Sequence, residues 1–130
     1  MQNAREVANV GWVNEGARIV LSIFFIFHGV NHFVNLKSLS ELAKKKGIPY
    51  PQAAVVVSGA ALLAGGLSLL FSYQVVIGSL AAAAFLVIAA AAIHRFWDES
   101  DSAKKANEMA HFLKNLAVAA ATVLAAAGAS

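Results

Sequence analysis

The feature that most constrains the fold is the stretch of residues 17–36, ARIVLSIFFIFHGVNHFVNL, which is long and apolar enough to cross a bilayer. About twenty helical residues span roughly 30 Å, the thickness of the hydrocarbon core. Polar side chains nevertheless recur within it at spacings of three, four or their sums, which places them on one helix face. They are Arg18, Ser22, His28, Asn31, His32 and Asn35. Because a polar face contacts lipid only at high cost, we expect it to face other helices or a wet cavity.

The composition of the whole chain agrees with a membrane protein. Only 13% of its 130 residues are charged and 59% are hydrophobic, whereas soluble domains carry about 25% charged residues. We therefore expect one membrane domain covering residues 1–130. Nothing indicates nucleic-acid binding, and the absence of cysteine excludes disulfides, thiol redox chemistry and Cys-based metal sites within the chain.

Three more membrane spans follow the first. Residues 52–94 are almost uninterrupted apolar sequence, which is too long for one span and about right for two. The break falls at Ser72, Tyr73 and Gln74, so the sequence predicts an antiparallel hairpin of spans 52–71 and 74–94. Small residues at helical spacing in the first limb favour close packing of a neighbouring helix. A charged loop precedes the last span, residues 112–128.

The segment between the first two spans predicts a short interfacial helix. Ser38 and Glu41 have the spacing of a capping box, and Gly47 followed by two prolines ends the helix. Its apolar residues should face the membrane while its lysines stay in water. We expect a second short interfacial helix within residues 1–16, which lack the apolar region of a cleaved signal and should be retained. The predicted fold is thus an all-α bundle of four transmembrane helices with a short interfacial helix after the first span.

The distribution of basic residues predicts the orientation. Four spans place both termini on one side, and eight of the ten basic residues fall in or beside the two long loops on the other. The positive-inside rule then places these loops in the cytoplasm and the termini outside.

The same topology brings all four histidines to one membrane face. His28 and His32 are four apart on the first helix, and Glu108 and His111 have a Glu-x-x-His spacing that helical di-metal sites use. The candidate metal ligands, suited to zinc, iron or copper, are His28, His32, Glu108 and His111. Two alternatives stay open: a pocket that handles protons or contacts a quinone, and structural polar packing.

Arg18 and Asn115 are the other polar candidates within the bundle. Arg18 either extends its charge to the interface or contacts an anion or a quinone carbonyl. Asn115 is the polar group of the last helix expected to face inward. The candidate ligand-binding residues are Arg18, His28, His32, His94 and Asn115. No nucleophile, base and acid set is visible, so the sequence assigns no catalytic residue and leaves enzyme activity uncertain.

The order of motifs along the chain resembles the DoxX family of small four-helix membrane proteins. An Arg-led first helix reaches FHGVNHF, a GIPYP turn precedes SGAALLAGGLSLL, and HRFW and HFLKNLAVAAATVLAAAG follow. The resemblance extends from about residue 18 to residue 128. The positions that match the family pattern are Arg18, Gly29, His32, Gly47, Pro49, Gly59, Gly66, His94, Lys114 and Asn115.

The resemblance implies a multi-pass protein of the cell (inner) membrane that is an accessory or anchoring subunit of a membrane redox system. The family takes its name from a subunit associated with thiosulfate:quinone oxidoreductase, so the resemblance is compatible with a quinone. The cofactor itself stays unassigned, and a metal, which only the histidine pattern suggests, is less favoured. The implied partners are membrane lipid and either another protein or further copies of this chain. The alternative function is a membrane adaptor or small transporter with no redox chemistry.

Overall fold

The computed structural model describes residues 2–129, and within this range it contains helices and no strand. The elements are α1 (Gln2–Val34), α2 (Leu36–Lys45), α3 (Pro51–Phe71), α4 (Val75–Ala92), a 3-10 turn (Phe96–Asp98) and α5 (Ser102–Ala129). Helices α1, α3, α4 and α5 are each long and apolar enough to cross a membrane. The predicted all-α bundle of four membrane helices, with a short helix after the first span, is confirmed.

The two outer helices begin earlier than the apolar stretches that predict them. Helix α1 starts at Gln2 and α5 at Ser102, so the expectation of a separate interfacial helix within residues 1–16 is wrong. Both extensions are free of proline and contain alanine together with charged residues that favour helix. Hydropathy detects only the part of a helix that suits lipid, whereas the backbone continues as helix into water.

Helix α3 lies against α1 through its glycines. A Cβ atom built on Gly66 would come 2.8 Å from Cγ1 of Ile26, and one on Gly59 would come 2.8 Å from Cβ of His32. Gly29 of α1 has the reciprocal role, because a Cβ there would come 2.7 Å from Cγ of Leu63. The absence of side chains at these points allows the two backbones to approach closely.

A second face of α3 packs against α4 in the same way. A Cβ atom on Gly65 would come 2.6 Å from Cβ of Ala82 and 2.9 Å from the carbonyl oxygen of Gly78. The bundle therefore follows the order α1, α3, α4, α5, with less extensive contact between α1 and α5. Helix α3 is central: its residue Gly65 contacts α4, and the adjacent Gly66 contacts α1.

The core is mainly apolar, and two of its buried hydroxyl groups bond to their own helices. Phe25, Leu62 and Leu69 are almost completely buried. Ser22 Oγ donates a hydrogen bond to the carbonyl oxygen of Arg18 (2.6 Å), and Thr122 Oγ1 donates to that of Val118 (2.7 Å). These hydroxyls need no partner on another helix, since bonding to the carbonyl four residues earlier satisfies them.

The glycine contacts predict the effect of adding one methyl group. We expect Gly66→Ala to lower the free energy of unfolding by about 1–3 kcal/mol, the usual effect of overpacking, because α1 must move away from α3. Gly16→Ala is the matched control, since nothing lies within 4 Å of a Cβ atom there. Equilibrium unfolding in mixed micelles measures both variants, and equal stability of the two would contradict the close approach.

Candidate functional site

A cavity of about 530 Å³ lies between the membrane helices and α2. This volume falls within the range of about 300–1,000 Å³ typical of small-molecule sites. Its walls are predominantly apolar and include Phe24 of α1, Leu62 of α3 and Phe85 of α4. An apolar cavity of this size suits the ring or chain of a lipid-soluble molecule.

Five basic or amide side chains from two helices and the α4–α5 connection line the same cavity. Helix α1 contributes His28 and His32, the connection contributes His94, and α5 contributes Lys114 and Asn115. Asn115 is 5% exposed, so its amide is buried in an otherwise apolar region. The structure therefore brings together four of the five predicted ligand-binding residues, His28, His32, His94 and Asn115, and adds Lys114.

The hydrogen bond of His32 determines its tautomer. Nδ1 of His32 lies 2.8 Å from the carbonyl oxygen of His28. Because a carbonyl can only accept, Nδ1 carries the proton and Nε2 carries the lone pair of the neutral ring. The ring of His32 also meets Phe85 edge to face at 5.6 Å between centroids, which links α1 to α4 across the cavity.

His94 connects the end of α4 to α5. Its Nδ1 lies 2.9 Å from Oε2 of Glu108, and both side chains are largely buried. Its ring stacks on His111 with centroids 5.0 Å apart and an interplanar angle of 21°. Since a carboxylate accepts, Nδ1 donates and Nε2 is the ring nitrogen left to accept a proton. The carboxylate fixes the ring orientation and stabilises a positive charge on it.

The rim of the cavity is mostly apolar. Val57 of α3 and Ala81, Ala84 and Ile88 of α4 are exposed at the helix surface and also line the cavity. These residues belong to helices long and apolar enough to cross a membrane, so their exposed sides face lipid. Part of the cavity wall is therefore formed by exposed apolar residues of α3 and α4.

Helix α2 closes part of the cavity. Leu39, Leu42 and Ala43 line it, and Ala43 is buried. Ala43 therefore packs inside the protein instead of facing the membrane as expected, because α2 lies on α3, whereas Leu42 remains 40% exposed. The amphipathic pattern of α2 was the available signal, but it does not say which surface the apolar face contacts.

Arg18 does not line the cavity. Its guanidinium donates a hydrogen bond to the carbonyl oxygen of Leu69 (2.9 Å) and another to the hydroxyl of Ser72. These acceptors lie in the last turn of α3 and at its C-cap. Arg18 thus satisfies the free carbonyl end of α3 and connects α1 to the α3–α4 turn.

The four candidate metal ligands lie on two different helices, two on each. His28 and His32 belong to α1, whereas Glu108 and His111 belong to α5 and contact His94. Among the side chains that the structure describes, no group of three or more His, Asp or Glu residues is arranged to hold a metal ion.

Four apolar spanning helices and an internal cavity with basic side chains define a small multi-pass membrane protein. The family model DoxX matches residues 15–95, and the chain belongs to the DoxX family. No curated protein and no solved structure matches the chain. The matched range is shorter than the resemblance described above, and it leaves α5, with Glu108, His111 and Asn115, outside it.

The bond between His94 and Glu108 predicts the local stability of the α4–α5 connection. We expect Glu108→Ala to accelerate amide hydrogen exchange in residues 93–98 about tenfold, because a hydrogen bond to a charged group contributes about 1.5–3 kcal/mol. Glu15→Ala is the matched control, since Glu15 is exposed on α1. Exchange measured by mass spectrometry in nanodiscs tests this, and an unchanged rate would show that the bond does not hold the connection.

Proposed function

We propose that the cavity binds the head group of a quinone and that the protein is an accessory, anchoring subunit of a membrane redox system. The observation that carries the proposal is the combination of apolar walls, a lipid-facing rim and converging basic groups around about 530 Å³. A quinone matches each of these features, because it is lipid-soluble and presents carbonyl oxygens that accept hydrogen bonds.

The donor groups in the cavity fit that ligand. The ammonium of Lys114 and the amide of Asn115 donate hydrogen bonds to carbonyl oxygens, and both line the cavity from α5. Asn115 is buried, whereas Lys114 is exposed, so Asn115 is the deeper of the two donors. A buried amide in an apolar wall contributes specificity, since a ligand without a carbonyl would leave it unpaired.

The imidazoles supply groups that can hold a proton. Nδ1 of His32 and Nδ1 of His94 each donate to a neighbouring acceptor, so Nε2 is the nitrogen of each ring that can accept a proton. Glu108 accepts the hydrogen bond of Nδ1 and so orients the ring of His94, which leaves Nε2 to exchange a proton at the C-terminal end of α4. A bound quinone supplies two-electron, two-proton redox chemistry; the partner that exchanges electrons with it lies outside this chain.

The anchoring part of the proposal is supported by the extension of α1. Helix α1 has 33 residues, about 50 Å at 1.5 Å per residue, which exceeds a hydrocarbon core of about 30 Å. Within the extension, Val10, Trp12 and Val13 are more than half exposed. This surface offers a partner protein, or a further copy of the chain, an apolar contact close to the membrane.

The quinone proposal predicts that blocking the rim prevents binding. We expect Ala84→Trp to reduce the quinone retained after gentle purification at least about tenfold, because the indole would occupy the apolar rim. Ala91→Trp is the matched control, since Ala91 is exposed on the same helix but does not line the cavity. Extraction and chromatography of bound quinone, with a short-chain quinone titrated into nanodiscs, gives the measurement.

Three outcomes decide between the candidate functions. Quinone bound by the wild type and by Ala91→Trp, but not by Ala84→Trp, supports the proposal. Quinone bound equally by both variants would mean that it lies elsewhere. No quinone in any preparation, with a protein partner retained in all of them, would favour the alternative, a membrane adaptor without redox chemistry.

We also propose that the protein lies in the cell membrane with its two long loops in the cytoplasm. The excess of basic residues in these loops supports this orientation. Single cysteines in place of Lys45 and Ala103 should react with an impermeant thiol reagent only when the membrane is opened, whereas Glu15→Cys should react in intact cells. Labelling of Lys45→Cys and Ala103→Cys from opposite sides would contradict the topology. The absence of native cysteine makes this experiment specific.

A further inference from the structure

A second cavity, of about 470 Å³, lies outside the bundle between α2 and the start of α3. Helix α2 contributes its polar face, with side chains at positions three, four and seven apart, and α3 contributes its first turn. The lining residues are Leu36, Lys37, Ser40, Glu41, Lys44, Pro51 and Gln52. This site shares no residue with the cavity proposed to bind a quinone.

The charged and polar groups of this second cavity have no partners within the part of the chain that the structure describes. Neither Lys37 nor Lys44 forms an ion pair with Glu41, which lies between them in the sequence, or with any other described carboxylate. The hydroxyl of Ser40 is buried and has no hydrogen-bond partner there. The buried Ser40 hydroxyl does not reach the open space, so the two ammonium groups of Lys37 and Lys44 are the charges that favour an anion there.

The first turn of α3 adds one backbone donor, the N–H of Gln52, because Pro51 has none. Pro51 and Gln52 both line the cavity, and the N-cap residue Tyr50 provides no side-chain hydrogen bond to the turn. The first N–H groups of a helix have no partner within the helix, and the helix dipole makes this end favourable for negative charge. The amide of Gln52 supplies further donors.

The position of the cavity indicates that the anion belongs to a lipid. The cavity lies where α1 ends and α3 begins, and both helices are long and apolar enough to cross a membrane. Val56 lies one turn further along the face of α3 that carries Gln52, and it is 37% exposed. An acyl chain can follow this face while the head group occupies the cavity.

We propose that this cavity binds the phosphate group of an anionic phospholipid. Lys37 and Lys44 attract the phosphate, and the backbone N–H and side-chain amide of Gln52 donate hydrogen bonds to its oxygens. Glu41 is the one lining group that repels it. The site would hold α2 in place at the membrane surface, since the lipid contacts α2 and α3 together.

The test compares two double substitutions that remove the same charge. Lys37→Gln with Lys44→Gln changes the lining lysines, whereas Lys45→Gln with Lys46→Gln removes two charges from the same segment outside the cavity. Each protein is purified in a neutral detergent and titrated with phosphatidylglycerol or phosphatidylcholine, and bound lipid is counted by native mass spectrometry. Helix content by circular dichroism and an unchanged elution volume confirm that the variants are folded.

We expect the wild type to retain phosphatidylglycerol over phosphatidylcholine. The lining pair of substitutions should weaken this retention about tenfold, in keeping with the usual contribution of basic residues near an anionic lipid, while the control pair changes it less than about twofold. Glu41→Gln should strengthen retention, because it removes the repelling charge from the site. This increase is an outcome that a merely structural role of Glu41 would not produce.

Two results would overturn the proposal. Equal losses in the two double variants would show that the lipid responds to the total charge of the loop and not to the cavity. Displacement of phosphatidylglycerol by inorganic phosphate at the same concentration as the lipid would show that the site takes free phosphate and that the acyl chain contributes nothing. Neither result would affect the quinone proposal, which depends on different residues.

Discussion

The structure depends on the close approach of α1 and α3 at their glycines. In lipid no hydrophobic gain drives helices together, so van der Waals contact between backbones must provide the association. Gly29, Gly59 and Gly66 make this contact, and together they fix the rotation of α1 about its own axis. That rotation turns His28 and His32 into the cavity wall, so the polar groups of the site follow from the positions of residues that carry no side chain.

Much of the architecture follows from the sequence because lipid restricts the alternatives. Long apolar stretches, a break at residues 72–74 and an amphipathic segment after the first span predicted the helices, since backbone in a bilayer must be hydrogen-bonded within each segment. The residues of the cavity were predicted in part for the same reason. Helical spacing placed His28 and His32 on an inward face, and the alternation of spans brought His94 to the same end of the bundle.

Helical spacing did not identify which groups meet between helices. Arg18 lies in the polar row of α1, yet it bonds to the C-terminal end of α3 and not to the cavity. Helical spacing shows which residues share a face, but it does not show which residue of another helix each of them contacts. Glu108 was paired with His111 on its own helix, whereas the structure bonds it to His94, fourteen residues away, across the α4–α5 connection. The packing of α2 onto α3 was missed because amphipathicity defines an apolar face without defining the surface it covers.

The unequal lengths of the spanning helices have a consequence for the membrane itself. Helices α3 and α4 have 21 and 18 residues, or about 32 Å and 27 Å, whereas α1 and α5 extend well beyond them. In a thicker bilayer, α3 and α4 are therefore the helices that are too short for the hydrocarbon core, and the bilayer next to them must become thinner. Because Ala84 and Ile88 of that hairpin line the cavity and are exposed, a change of bilayer thickness would act on the surface next to the cavity.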